Sequence, residues 1–388
     1  MNSKKLVILS VVALLAVLIG VWLASERTTS DTNESAPLYP DLAKNLDKAD
    51  AVRIFTAGDK LAVEIARKDG EWRVSQRNDH PADEPKVRKL LVSLADAKLR
   101  EQKTSNAENY ATLGVEDVSG EKASGVRIEI GGVEPAVSLI VGKRGPGLES
   151  HYVRRAGEAQ SWLIDADLDR SSSPQDWLRK SILDVGADRI QSATIQIGNA
   201  KPYSATKNSR ADADFAVSGI PKGKELSSPG AANSLATALA NLTLSDVQPA
   251  ASDTKPAAHA TYRTFDGLVV ELDGWSRDDK YYLAARTSYD PELAERFKIP
   301  SAESKDDGKA ESEAGASEGA DEVKEAEGAP AQSDDNAETE AAKADSSAKK
   351  NVEEEAQDLA QKLSGWAYEI PKYKYDQIFK PLDELLKD

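Results

Sequence analysis

Twelve residues, "DADLDRSSSPQD" from Asp165 to Asp176, place carboxylates at Asp165, Asp167, Asp169 and Asp176, which are positions 1, 3, 5 and 12 of a loop. Hard oxygen donors at that spacing can wrap a calcium ion. Three details oppose it: Arg170 stands where the loop needs glycine, Asp176 is shorter than the usual bidentate glutamate, and Pro174 interrupts the run. A strand end followed by helix-capping acids accounts for the same residues. The four aspartates are therefore calcium candidates only, and no other metal set is read.

The remaining chemistry is mostly excluded. "GKRGPG", Gly142 to Gly147, is Gly-rich and basic, but it lacks the Lys-Ser/Thr ending and the helix start that a phosphate cradle needs. It reads as a loop between strands. His80, His151 and His259 stand far apart in different contexts and suggest neither a triad nor a metal site. No G-x-S-x-G elbow and no H-E-x-x-H helix occurs. The absence of cysteine excludes disulfides, thiolate metal sites and cysteine nucleophiles. No catalytic residue and no cofactor is expected, and the chain is not read as an enzyme. Trp72, Trp162, Trp177, Trp275 and Trp366 could stack on sugars, but their strand and helix positions favour core packing.

Charge narrows the partners. The 388 residues carry a net charge of −16, which argues against nucleic acid, where a basic face supplies most of the affinity. Residues 301–355 hold a net −12 of this, leaving −4 for the rest. That acidic segment has no aromatic and almost no large aliphatic residue, so it cannot bury enough apolar area to offset the entropy of ordering, and a disordered insertion is expected. Helix near Glu353–Leu363 is compatible with its end.

The elements that would position any site begin with an anchor. Leu6 to Ala24 is uncharged over 19 residues. At about 1.5 Å per residue this spans the hydrocarbon core of a bilayer. Lys4 and Lys5 precede it, which places residues 1–5 in the cytoplasm and the rest outside. Bulky Trp22 near its end opposes a cleaved signal peptide. Residues 25–46 read as a tether.

Beyond it, "AVRIFTA", "KLAVEIARK" and "EWRVSQ" alternate as half-buried strands, with Asp69-Gly70 as a hairpin turn. Asp83 and Pro85 start a helix whose Val87, Leu90, Leu91 and Leu94 share one face, and "KLREQKT" closes a β-β-β-α-β unit. Four antiparallel strands follow ("GVRIEIGG", "AVSLIVGKR", "HYVRRAG", "SWLID"), then "SPQDWLRKSIL" as a helix or helical turn capped by Ser173. From Ala187 the pattern restarts: "GAANSLATALANLTL" matches the helix and its closing strand, Trp366 matches Trp162, and Ile378, Leu382 and Leu385 mark a closing helix. The expected fold class is α+β: a transmembrane helix, then a duplicated β-rich ectodomain in which each copy holds one β-β-β-α-β unit and one four-stranded antiparallel unit. The copies fall at 47–184 and 185–300, with 301–355 inserted and 356–388 completing the second.

"PLYPDL", "ADAVRI", "GEWRV", the Pro-Ala-Asp helix start and "QDWLRKSIL" together resemble the membrane-anchored bacterial proteins that carry domain of unknown function 4340. The resemblance implies a single N-terminal anchor and an ABC-type permease of the gliding-motility kind as partner, and it transfers no catalytic residue. The expected function is a non-catalytic periplasmic accessory subunit held in the bacterial inner membrane and working with such a transporter. The alternative is a periplasmic binding module for envelope glycan, peptide or exported substrate.

Overall fold

The computed structural model describes residues 36–147, 149–251, 254–297 and 352–387. The expected anchor at 6–24 and the acidic segment up to 351 lie outside them. Among the described residues no helix is long and apolar enough to cross a membrane. The chain forms two compact units, Met1–Ser181 with Leu244–Pro249, and Ile182–Thr243 with Ala250–Asp388. Both are α+β and built on antiparallel sheet.

The first unit opens with a short helix, α1 (Leu42–Asn45), and strands β1 (Ala51–Thr56), β2 (Lys60–Lys68), β3 (Glu71–Val74) and β4 (His80–Pro81). Asp69 and Gly70 take φ of 52° and 84°, the left-handed pair that a two-residue hairpin between β2 and β3 requires. Helix α2 (Glu84–Asp96) follows, with the Asp83 carboxylate accepting from Lys86 N at 3.1 Å and Pro in its first turn. Its Val87, Leu90, Leu91 and Leu94 are all buried, as the 3.6-residue period dictates. Then come β5 (Lys98–Gln102), helix α3 (Tyr110–Leu113), β6 (Val126–Gly131), β7 (Val137–Arg144), β8 (Ser150–Arg155) and β9 (Ser161–Asp165).

The two expected subunits of this copy are not separate. They fuse into one nine-stranded sheet in the order β4-β3-β2-β1-β6-β7-β8-β9-β5. β1 has an open edge after pairing with β2, and β6 satisfies it, while the strand after α2 crosses over to β9. Leaving either edge bare would strand a row of backbone donors and acceptors.

Residues 36–46, assigned to the tether by sequence, lie against this unit. Leu38 and Leu42 are buried, and Leu38 N donates to Ala97 O at 2.7 Å. Burying that apolar run outweighs the entropy of fixing it. Pro174–Trp177 is a single 3-10 turn, and Ser173 makes no side-chain cap to it. Trp177 is fully buried there, its indole donating to Ser171 O at 2.9 Å. Asp246 belongs with the first unit and receives both Nε and Nη2 of Arg77, at 2.6 and 2.9 Å.

In the second unit the strands are β10 (Ser181–Leu183), β11 (Ile190–Ile197), β12 (Tyr203–Thr206), β13 (Ala216–Ser218) and β14 (Leu242–Thr243). After β15 (Asp246–Pro249), which groups with the first unit, follow β16 (Ala258–Thr264), β17 (Leu268–Arg277) and β18 (Lys280–Tyr289). Helices α4 (Pro291–Arg296) and α5 (Val352–Leu363), strand β19 (Trp366–Ile370) and helix α6 (Lys372–Ile378) complete it. The sheet runs β13-β12-β11-β16-β17-β18-β19.

Two expected helices are shorter than the pattern suggests. Asn233–Thr237 is a 3-10 turn, although Leu235, Leu239 and Leu242 are buried as anticipated. Ala232 at its cap position offers no side-chain bond, and Thr237 Oγ1 donates to Ser234 O at 2.9 Å, in competition with a helical ladder. At the C-terminus, Pro381 divides the expected closing helix into α6 and a 3-10 turn, Leu382–Leu385. Glu353–Glu355, counted with the acidic insertion, form the first turn of α5, and Glu355 clamps Arg189 with two bonds of 2.9 Å.

Candidate functional site

Antiparallel pairing sets five strand ends side by side at one end of the first sheet. Phe55 of β1 pairs with Arg127 of β6, Val126 with Val141 of β7, Arg144 with His151 of β8, and Ser150 with Asp165 of β9. A cavity of about 700 Å³ opens there. Strands contribute Thr56, Val126, Arg144 and His151; α2 contributes Lys86, Lys89 and Leu90; the loop after β9 contributes Asp167 to Ser173. Lys86, Lys89 and Leu90 share a helix face because residues three and four apart are neighbours. For comparison, the cavity beside α5 in the second unit measures about 360 Å³.

Two of the calcium candidates reach this cavity, and both are neutralised. Asp167 accepts from Arg144 Nη2 at 2.6 Å. Asp169 meets Lys86 Nζ at 3.0 Å and accepts from Ser171 N at 2.9 Å. Asp165 faces a separate cavity of about 240 Å³, and its nearest cation is Arg100 at 4.0 Å. Asp176 accepts from Ser171 Oγ at 2.6 Å. Among the described residues no group of three or more His, Asp or Glu side chains is placed to hold a metal ion. Successive carboxylates meet different partners, Arg100, Arg144, Lys86 and Ser171, rather than one centre.

The loop is stitched firmly. Ser173 N donates to Ser171 Oγ at 3.3 Å. Lys86 Nζ also donates to Asp176 O at 2.8 Å and sits 4.6 Å from the Trp177 ring centroid. His151 is buried, with Nδ1 3.2 Å from Ala166 O. Burial is the main cause that pushes its pKa down, so the ring is neutral at pH 7. Asp167, Asp169 and His151 are thus committed to structural bonds.

Four cations against two carboxylates line the cavity, in a chain of net charge −16. Arg144 and Lys86 carry the ion pairs described above. Arg170 is half-buried and Lys89 exposed, and neither makes a hydrogen bond or ion pair among the described residues. Sequence reasoning met Arg170 only as the residue that spoils a calcium loop. The signal that marks it, two lysines on the core-flanking face of α2, becomes meaningful once that face lies beside the strand ends.

The remaining candidates disperse. Trp72, Trp162 and Trp177 are buried, which removes them from any sugar platform, while Trp275 and Trp366 are half-buried in the second unit. His80 is buried on β4, and His259 is exposed, with Nδ1 2.6 Å from Asp273 Oδ1. "GKRGPG" is the end of β7 and its following turn, and a Cβ on Gly142 would run into Leu113 O. That close approach of strand to backbone explains the glycine without a phosphate.

Residues 72–262 match a family model. The family is DUF4340, a domain of unknown function. The DUF4340 match begins within β3 and ends within β16, so it takes in α2, the strand ends of β6, β7, β8 and β9 and the loop after β9, while the β1 end at Phe55 and Thr56 precedes it. No curated protein and no solved structure matches the chain.

Proposed function

We propose that this DUF4340 protein is a non-catalytic binding module of the bacterial envelope, and that its first unit takes a small polar ligand at the strand-end cavity. The observation that carries the reading is the cavity itself: about 700 Å³, walled by polar side chains of which Arg144, Asp167, Lys86 and Asp169 are held in ion pairs while Lys89 and Arg170 are not. Ligand sites of this kind occupy a few hundred to a thousand cubic ångströms and hold few convergent polar groups.

A tandem duplication belongs to the same proposal. The order β3-β2-β1-β6-β7-β8-β9 in one sheet and β13-β12-β11-β16-β17-β18-β19 in the other is the same order, shifted by ten. In the second copy the stretch matched to α2 and its closing strand, residues 230–244, has no charged residue, whereas α2 carries Lys86, Arg88 and Lys89. The first copy binds and the second supports. Anchoring through 6–24, a periplasmic ectodomain and an ABC-type permease as the partner that receives or supplies the ligand complete the proposal; they rest on the sequence and the family resemblance.

Thermal unfolding of the full chain in detergent, scanned against envelope sugars, peptides and phosphate esters, tests it. A ligand at a hundred times its Kd stabilises by about 2.7 kcal/mol and raises Tm by a few degrees. A panel that leaves Tm unmoved contradicts the reading.

A further inference from the structure

Resting on that binding reading, we infer that the ligand of the strand-end cavity is a phosphoryl-bearing small molecule, held by Arg170 and Lys89. Arg170 carries a charge with no hydrogen-bond or ion-pair partner among the described residues. A half-buried guanidinium ordinarily finds a carboxylate or a carbonyl, because desolvating an uncompensated charge is costly. Among the described residues Arg170 finds neither, although it lies in a loop rich in acids: Asp167 is taken by Arg144 and Asp169 by Lys86. The loop has spent its carboxylates on other cations and left this one facing the cavity. Lys89 enters from a different element, α2, and is equally unspent.

Two cations from two elements, with Ser172 and Ser173 on the same wall, offer donors from several directions. A tetrahedral phosphoryl group presents oxygens in several directions and accepts a guanidinium fork and an ammonium together. A single planar carboxylate satisfies the fork and leaves the ammonium. His151, kept neutral by burial, adds no charge of its own to the site.

The test is calorimetric titration of the full chain in detergent at low salt with inorganic pyrophosphate, citrate and a neutral disaccharide. Pyrophosphate is expected to bind, and more tightly than citrate. Arg170→Gln and Lys89→Gln are each expected to weaken it by about ten- to hundredfold, the range for a charge-assisted hydrogen bond. Arg88→Gln removes the same charge from the exposed side of α2, where Arg88 stands 3.6 Å from Glu84, and is expected to leave affinity unchanged. Arg170→Lys guards against a folding artefact: it keeps the charge and should retain part of the affinity at an unchanged Tm. Repeating the titration in phosphatidylglycerol and phosphatidylcholine nanodiscs identifies the source, since weaker pyrophosphate binding in the anionic disc means that lipid headgroups compete. No pyrophosphate binding, or equal loss in Arg88→Gln, overturns the assignment. If the disaccharide alone binds, the phosphoryl assignment fails while the binding module stands; if nothing binds, both fail.

Discussion

Acid should loosen the first unit through His80. This side chain is 6% exposed on β4, with Nδ1 3.1 Å from Pro81 O, and burial is the chief cause that lowers its pKa to about 4. The unfolded chain takes up the same proton near pH 6.5. The folded value is depressed, so the stability His80 contributes is present above pH 6.5 and is lost as pH falls towards 4. The linkage amounts to about 2 kcal/mol at pH 5 and about 3 kcal/mol at pH 4. Buried His151, whose pKa is also lowered, acts in the same direction. Urea unfolding followed by tryptophan fluorescence reads it directly. A chain with Trp22, Trp275 and Trp366 changed to Phe keeps Trp72, Trp162 and Trp177, all three buried in the first unit. Stability of this reporter should fall between pH 6.5 and 4 with a slope approaching 1.4 kcal/mol per pH unit from His80. In His80→Gln the absolute stability is lower but that share of the slope is absent. Identical slopes in the two proteins would refute the reasoning.

Three further substitutions probe the scaffold. Leu94→Ala removes a fully buried side chain from α2 and should cost about 3 kcal/mol in urea unfolding of the first unit. Asp83→Ala removes the cap on Lys86 N and should cost about 1 kcal/mol, while Asp83→Ser restores most of it. Glu355→Gln breaks the forked bond to Arg189, which Asp266 also grips at 2.9 Å; with both partners partly exposed, the loss should be about 1 kcal/mol, seen in thermal unfolding of the second unit only.

Local elements were legible because their signals are local. The β2 strand, the Asp69-Gly70 turn, and α2 with its Asp83 cap each follow from neighbours within a dozen residues. Long-range pairing was not. Nothing near Lys98–Gln102 says that it crosses to β9, because an edge strand is chosen by which backbone row is left open elsewhere. The 3-10 turn at Asn233–Thr237 misled for a different reason: its leucines keep a helical spacing, while the missing cap and the hydroxyl of Thr237 decide the backbone. The site was the least legible part. Asp165, Asp167, Asp169 and Asp176 invited a ligand by spacing, but Asp167 and Asp169 pair with Arg144 and Lys86, Asp176 accepts from Ser171 and Asp165 faces Arg100; the unspent residue was the arginine among them.

Hydrogen exchange of the full chain with and without saturating pyrophosphate measures the central claim most directly, because it locates the ligand without assuming the contacts. The account predicts slowed exchange confined to two stretches of the first unit, residues 84–90 of α2 and 166–173 after β9, with the second unit unchanged. Protection that falls in the second unit, or nowhere while the ligand is bound, would contradict it.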